Sequence, residues 1–401
     1  MFILALTIQV ILPQKSNYSN FMLKTTLKKI ILSSLFCVGI MSSAIAQTDT
    51  TKKQNKDEEE EGAADPAGGG TDLSQFQGEM QESTGTKRYC TSKIFGISPT
   101  KLISIGYDYQ LGYKMTTRDV VDADNTKDEK TENVSRTHGL RFLANFPVVS
   151  NNKITVNIGA SYMESHYAFD DKNKASANKL SNSLQNNALR STAINFTIFK
   201  PLNIKNFLLI NTQHEVNGDY DLTEWQPLKY MKHSATLAYG WKKSDRLQYG
   251  FGVARTYRVG EVNYIPVILY NFTAENRKWG IEALFPARVH YRRTFNPRSI
   301  LLLGYELEGN SYRLQNRQQE FGATKQDVEL RRSELRMRAV YERQLSGFIW
   351  MSVQAGLRYN ARFNVDNGEF FRGLFGDQLY LMKNTLTNPL YFNVSINLVS
   401  P

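Results

Sequence analysis

Residues 102–115 read L-I-S-I-G-Y-D-Y-Q-L-G-Y-K-M, so Ile103, Ile105, Tyr107, Tyr109, Leu111, Tyr113 and Met115 interleave with Ser104, Gly106, Asp108, Gln110, Gly112 and Lys114. Side chains alternate across a pleat with period two, so this stretch predicts one strand with an apolar and a polar face. The pattern returns near the end, where Leu390, Phe392, Val394, Ile396 and Leu398 are separated by Tyr391, Asn393, Ser395 and Asn397. Many such segments lie between, joined by alternately short and long connections. A chain of this kind predicts a closed antiparallel transmembrane β-barrel, with one face of each strand in lipid and the other in a polar interior.

Composition agrees. The chain is 401 residues long, 41% hydrophobic and 12% aromatic, yet its mean hydropathy is −0.42. After residue 47 no run approaches the roughly 20 apolar residues of a spanning helix, which argues against a helical membrane protein.

The start of the chain is read as targeting. Met22 opens a basic n-region through Lys29, Ile30 to Met41 is apolar, and Ala44-Ile45-Ala46 is a small-residue cleavage site. Residues 22–47 therefore predict a secretory signal peptide, and 1–21 upstream translation. Phe36 before Cys37 argues against lipidation. Cleavage leaves Cys90 alone, so no internal disulfide is expected. Lys15, Lys24, Lys28 and Lys29 are the only charges of residues 1–47, and their loss takes the net charge from +11 to +7. Residues 48–88, with the acidic run Asp57 to Glu61 and Gly68-Gly69-Gly70, predict a disordered periplasmic tail. The basic remainder suggests lipopolysaccharide or small anionic solutes as partners; an exported chain does not routinely meet nucleic acid.

The barrel is expected over 89–401. Acidic or polar loops are read at 116–133, 164–187 and 364–384, and tight turns at Ser150-Asn151-Asn152, Pro201 to Lys205, Lys242 to Asp245 and Leu345-Ser346-Gly347. Pro286 interrupts the stretch 279–295, and a proline cannot donate to a ladder. A break there gives about fourteen strands, with twelve the alternative; single-chain barrels of this kind have even numbers. The aromatic-rich alternation, the leader ending Ala44-Ile45-Ala46-Gln47 and the last strand Leu390 to Leu398 resemble Gram-negative outer-membrane β-barrels and are similar to uncharacterised barrel families of Bacteroidota. That resemblance implies an outer-membrane location and insertion by the barrel-assembly machinery, although the usual terminal aromatic is replaced by Val399-Ser400-Pro401.

One polar constellation stands out. Glu282, then Arg288, His290 and Arg292, then Glu306 and Glu308, then Glu334, Arg336, Arg338 and Glu342, then Arg358 and Arg362 all fall on the polar phase of the later strands. Cross-strand neighbours then carry opposite charge. Two readings are open: an anion-selective wall, or an inter-strand salt-bridge network filling the lumen. The five histidines lie in no nucleophile motif, and Asp119, Asp122, Asp124 and Asp128 lack the glycine and final glutamate of a calcium loop. No catalytic residue, metal or cofactor is called for. Tyr89, Tyr113, Tyr162, Trp241, Tyr257, Trp279 and Tyr359 are assigned to interfacial girdles. The expected function is a passive channel for small solutes, with a non-conducting envelope barrel, and then a lipid-acting enzyme, as alternatives.

Overall fold

The computed structural model describes residues 89–401 apart from 123–124, 171–178, 222, 224–229, 259, 261, 316–326, 369–379 and 401. The upstream segment 1–21, the leader 22–47 and the tail 48–88 lie outside the described residues.

The ladder begins with β1 (Lys101–Gln110 and Tyr113–Asp122), β2 (Asn125–Asn151), β3 (Ile154–Phe169), β4 (Leu189–Pro201), β5 (Asn206–Gly218), β6 (Lys232–Ser244) and β7 (Leu247–Thr256). It continues with β8 (Asn263–Thr273), β9 (Trp279–Phe285), β10 (Arg288–Asn296), β11 (Ser299–Gln315), β12 (Asp327–Ser346), β13 (Ile349–Asp366) and β14 (Met382–Leu386 and Leu390–Val399). One helix, α1 (Lys179–Asn186), precedes β4. Each strand pairs antiparallel with the next, and β1 pairs with β14, Tyr107 opposite Val394, so the sheet closes. The strands number fourteen because the sixteen ladder segments include two halves each of β1 and β14. Pro286 divides β9 from β10, as its missing donor requires.

The outer face is greasy. Ile105 is 58% exposed, Phe251 55% and Val394 50%, values suited to a wall that hydrocarbon covers. Near one rim Trp241 stacks on Tyr249, and Trp279 on Tyr291, forming an aromatic run across β6 to β10. Tyr113 and Tyr257 do not belong to such a girdle, since both are buried. At this rim the hairpins are tight, and their asparagines make them so: the Oδ1 atoms of Asn151, Asn203, Asn276 and Asn296 each accept backbone N–H groups two or three residues on. Arginine in place of Val394, mid-strand on the lipid face, is expected to cost about 2–4 kcal/mol in urea unfolding from vesicles, against at most about 1 kcal/mol for Leu398 near the rim.

The opposite, loop end departs from the sequence reading. The segments expected as loops at 116–133 and 164–187 are partly strand, since β1 and β2 run on to a hairpin and β3 reaches Phe169. Tyr113 and Met115, expected on the lipid face, point inward and are 7% and 0% exposed. The cause is a collar of irregularities at one level. Leu111 and Gly112 interrupt β1, Ser135 is an extra residue in β2, Ala361 an extra residue in β13, and Thr387 to Pro389 divide β14. Each break exchanges the two faces of its strand. Below the collar the inward residues are Asp108, Gln110 and Arg358; above it they are Tyr113, Phe363, Val365 and Met382.

Above the collar the barrel narrows. Gly218 of β5 pairs with Arg313 of β11, and the Asp219 N–H donates to the Arg313 carbonyl at 3.1 Å. A Cβ on Gly218 would lie 2.6 Å from that carbonyl oxygen, so only glycine permits the approach. Nine strands, β11 to β14 and β1 to β5, thereby enclose a dry core. It contains Tyr167, Tyr312, Leu314, Leu330 and Phe363, together with Leu180 and Leu184 of α1. That helix is one turn pattern thick on its apolar side, and its two leucines are 0% and 1% exposed.

Candidate functional site: the lumen

Below the collar the lumen has two unlike halves. On the side of β1, β2 and β11 to β13 the polar phase carries an ionic network. Glu334, 1% exposed, lies 2.7 Å from Arg332, 3.2 Å from Arg336 and 2.6 Å from Arg358. Glu308 holds Arg336 at 2.7 Å and Arg141 at 3.2 Å, and Arg141 also binds Asp108 at 2.9 Å. Arg141 is on β2 and Glu308 on β11, five places apart in the sheet order, so this pair bridges the lumen. Farther toward the turn end Glu306 pairs with Arg338 at 2.6 Å, Arg338 lies 3.3 Å from His290, and Glu342 binds Lys101 at 2.7 Å. Burial of this many charges is tolerable because each named arginine meets a carboxylate.

The sequence-predicted ladder is thus sorted by the structure. Glu306, Glu308, Glu334, Arg336, Arg338 and Arg358 join the network, Glu342 serves Lys101, and Glu282 and Arg292 form a separate pair at 2.6 Å. Arg288 stands exposed at the rim beside the β9–β10 hairpin, in register with Glu306, and Arg362 lies beyond the Ala361 bulge near Gly260. Asp108, Arg141 and Arg332 complete the network, although the search along the later strands passed them over. The signal was present: Asp108 is on the polar phase of the opening stretch. His214 sits across from His233, Nδ1 to Nδ1 2.7 Å. Among the described residues no group of three metal-ligating side chains is found.

The other half, on β3 to β8, is uncharged and holds a cavity of about 200 Å³. Phe199, Phe207, Leu209 and Leu269 line one side, with the Phe199 and Phe207 rings stacked 4.9 Å apart. Asn157, Gln248 and Asn271 present amides to it, and Ser92, Thr155 and Thr197 hydroxyls. Phe207 has its place because Gly240 faces it: a Cβ there would lie 2.2 Å from the ring.

Ser92 belongs to a strap, residues 89–100, that crosses the turn end. The Cys90 N–H donates to Asn203 in the β4–β5 turn at 3.0 Å. Lys242 Nζ donates to Thr91 Oγ1 at 2.7 Å and to the Lys93 carbonyl at 2.9 Å, and pairs with Asp245 at 3.1 Å. The Phe95 N–H reaches Asp245 between β6 and β7, and its ring lies 5.4 Å from the Arg277 guanidinium between β8 and β9. Ser98 then donates through N and Oγ to Glu282 Oε1, both at 2.9 Å. By Lys101 the chain is in β1, on the far side of the wall. Six residues reach about 20 Å, enough to span the mouth. Burial pushes the Cys90 thiol up, away from the thiolate range.

Several solved structures are similar in outline. An outer membrane channel from Pseudomonas putida F1 is 10% identical, with 75% of this chain and 97% of that one covered and a TM-score of 0.31. The toluene transporter TodX of Pseudomonas putida is 9% identical, covers 78% and 95%, and has a TM-score of 0.31. OccAB4 of Acinetobacter baumannii is 9% identical, covers 76% and 99%, and has a TM-score of 0.23. At scores this low the likeness adds nothing to the strand ladder already described. No curated protein matches the chain. The model of a domain of unknown function, DUF6268, matches residues 104–397, from the first strand of the barrel to the last, and the chain belongs to that family.

Proposed function

We propose that this chain is an integral outer-membrane barrel that passes small uncharged solutes, seen here shut. The observation that carries the reading is the uncharged cavity inside a lipid-facing wall, with the strap under it and the dry cap above it. In this reading the turn end faces the periplasm, where residues 48–88 would emerge, and the loops face outward. Lipopolysaccharide surrounds the outer rim, the barrel-assembly machinery inserts the chain, and no catalysis is involved. Anions are poor candidates for the solute, because the lumen's arginines already hold carboxylates at 2.6–3.3 Å.

Swelling of proteoliposomes in arabinose tests the proposal. Uptake is expected above that of protein-free vesicles, and faster still when Lys242 is replaced by Met to free the strap. Absence of uptake with both proteins, each shown to be folded by heat modifiability, would overturn it. The second reading, a non-conducting envelope barrel, is favoured by the Arg141–Glu308 bridge across the lumen, and that same result would support it.

A further inference from the structure

We infer that the lumen cavity is a binding site for a neutral single-ring molecule with a hydrogen-donating edge, a phenol in the simplest case. The inference deepens the channel reading by naming a solute class.

Size, charge and one unsatisfied atom lead to it. A dry cavity of about 150 Å³ suffices for benzene, so about 200 Å³ admits one ring with a substituent. None of the lining residues is charged, and a charge placed there would exchange its hydration for amides and hydroxyls alone. The apolar side, Phe199, Leu209 and Leu269, offers a flat patch for a ring face. Across from it Gln248 is only 6% exposed, and its Oε1 has no hydrogen-bond partner. A buried acceptor left unpaired costs free energy that a ligand's O–H or N–H recovers. A bare hydrocarbon leaves it unpaired, and a polyol brings more hydroxyls than the apolar side can tolerate. Thr197 Oγ1 already accepts from Asn211 at 2.8 Å, which fixes the wall next to the patch.

The test is calorimetric titration of the full chain in detergent micelles with phenol, benzene, benzoate and glucose. Each isotherm is corrected for partition into empty micelles. Phenol is expected to bind saturably and at least tenfold more tightly than the other three. Gln248→Leu is expected to weaken phenol about fivefold to tenfold, the value of one buried neutral hydrogen bond, and to leave benzene unchanged or tighter. Gly240→Val, which drives the Phe207 ring into the cavity, is expected to abolish both. Absence of saturable phenol binding overturns the inference, as does phenol binding that Gln248→Leu does not change, or equal binding of benzoate or glucose. Arabinose uptake without phenol binding sinks this inference alone. Phenol binding that depends on Gln248, without uptake by any variant, sinks the channel reading and leaves the site.

Discussion

Replacing Glu334 by Gln is expected to destabilise the barrel by about 3–5 kcal/mol, the cost of removing one member of a buried charge set. The side chain is 1% exposed and faces three guanidinium groups within 3.2 Å. Arg336 would keep Glu308, and Arg358 its hydrogen bond to Gln110. Arg332, 3% exposed, would lose the carboxylate that holds it. Urea unfolding of the protein in micelles measures the loss, which also lowers the temperature at which the folded band disappears on a gel. Glu342→Gln is the control. Its partner Lys101 is 26% exposed and reaches water, so the expected loss is about 1 kcal/mol or less. Equal losses at the two positions would refute the network as the stabilising element of the charged half.

Replacing Lys242 by Met is expected to speed alkylation of Cys90 by about two orders of magnitude. The ammonium, 7% exposed, makes two hydrogen bonds to the strap, each of a charged kind contributing about 1.5–3 kcal/mol. Their loss raises the population of the detached strap accordingly. The sign is diagnostic. Lys242 lowers the thiol pKa through its charge, so its removal alone would slow the reaction, and acceleration requires the strap to leave. Maleimide labelling followed by mass spectrometry reads the rate, and an unchanged or slower rate would show that the strap is held elsewhere.

Much of the barrel was legible because period-two alternation is a local property. The strands near Leu140, Ile154, Leu237 and Ile349 need only their own residues to be recognised, and Pro286 announces its own break. The phase inversion at the collar was not legible. Tyr113 and Met115 continue the parity of Ile105 and Tyr107, so the string is the same whether or not the chain pauses at Leu111-Gly112. Only the partner strands, with their own irregularities at Ser135 and Ala361, reveal that the faces exchange. The closure of β5 on β11 is equally silent, since one glycine at 218 is its whole local trace. In the candidate site, charge on the polar phase marked the network, but the number of strands around the circle decides that Arg141 meets Glu308. The strap has no periodicity at all; tertiary contacts alone define it.

The strap and the apolar cap stand at opposite ends of one chamber, and no side chain named here belongs to both. Two doors that share no hinge need not open together. Cargo can be admitted while the far door stays shut, as in an airlock, so the cell envelope never acquires a continuous water-filled leak.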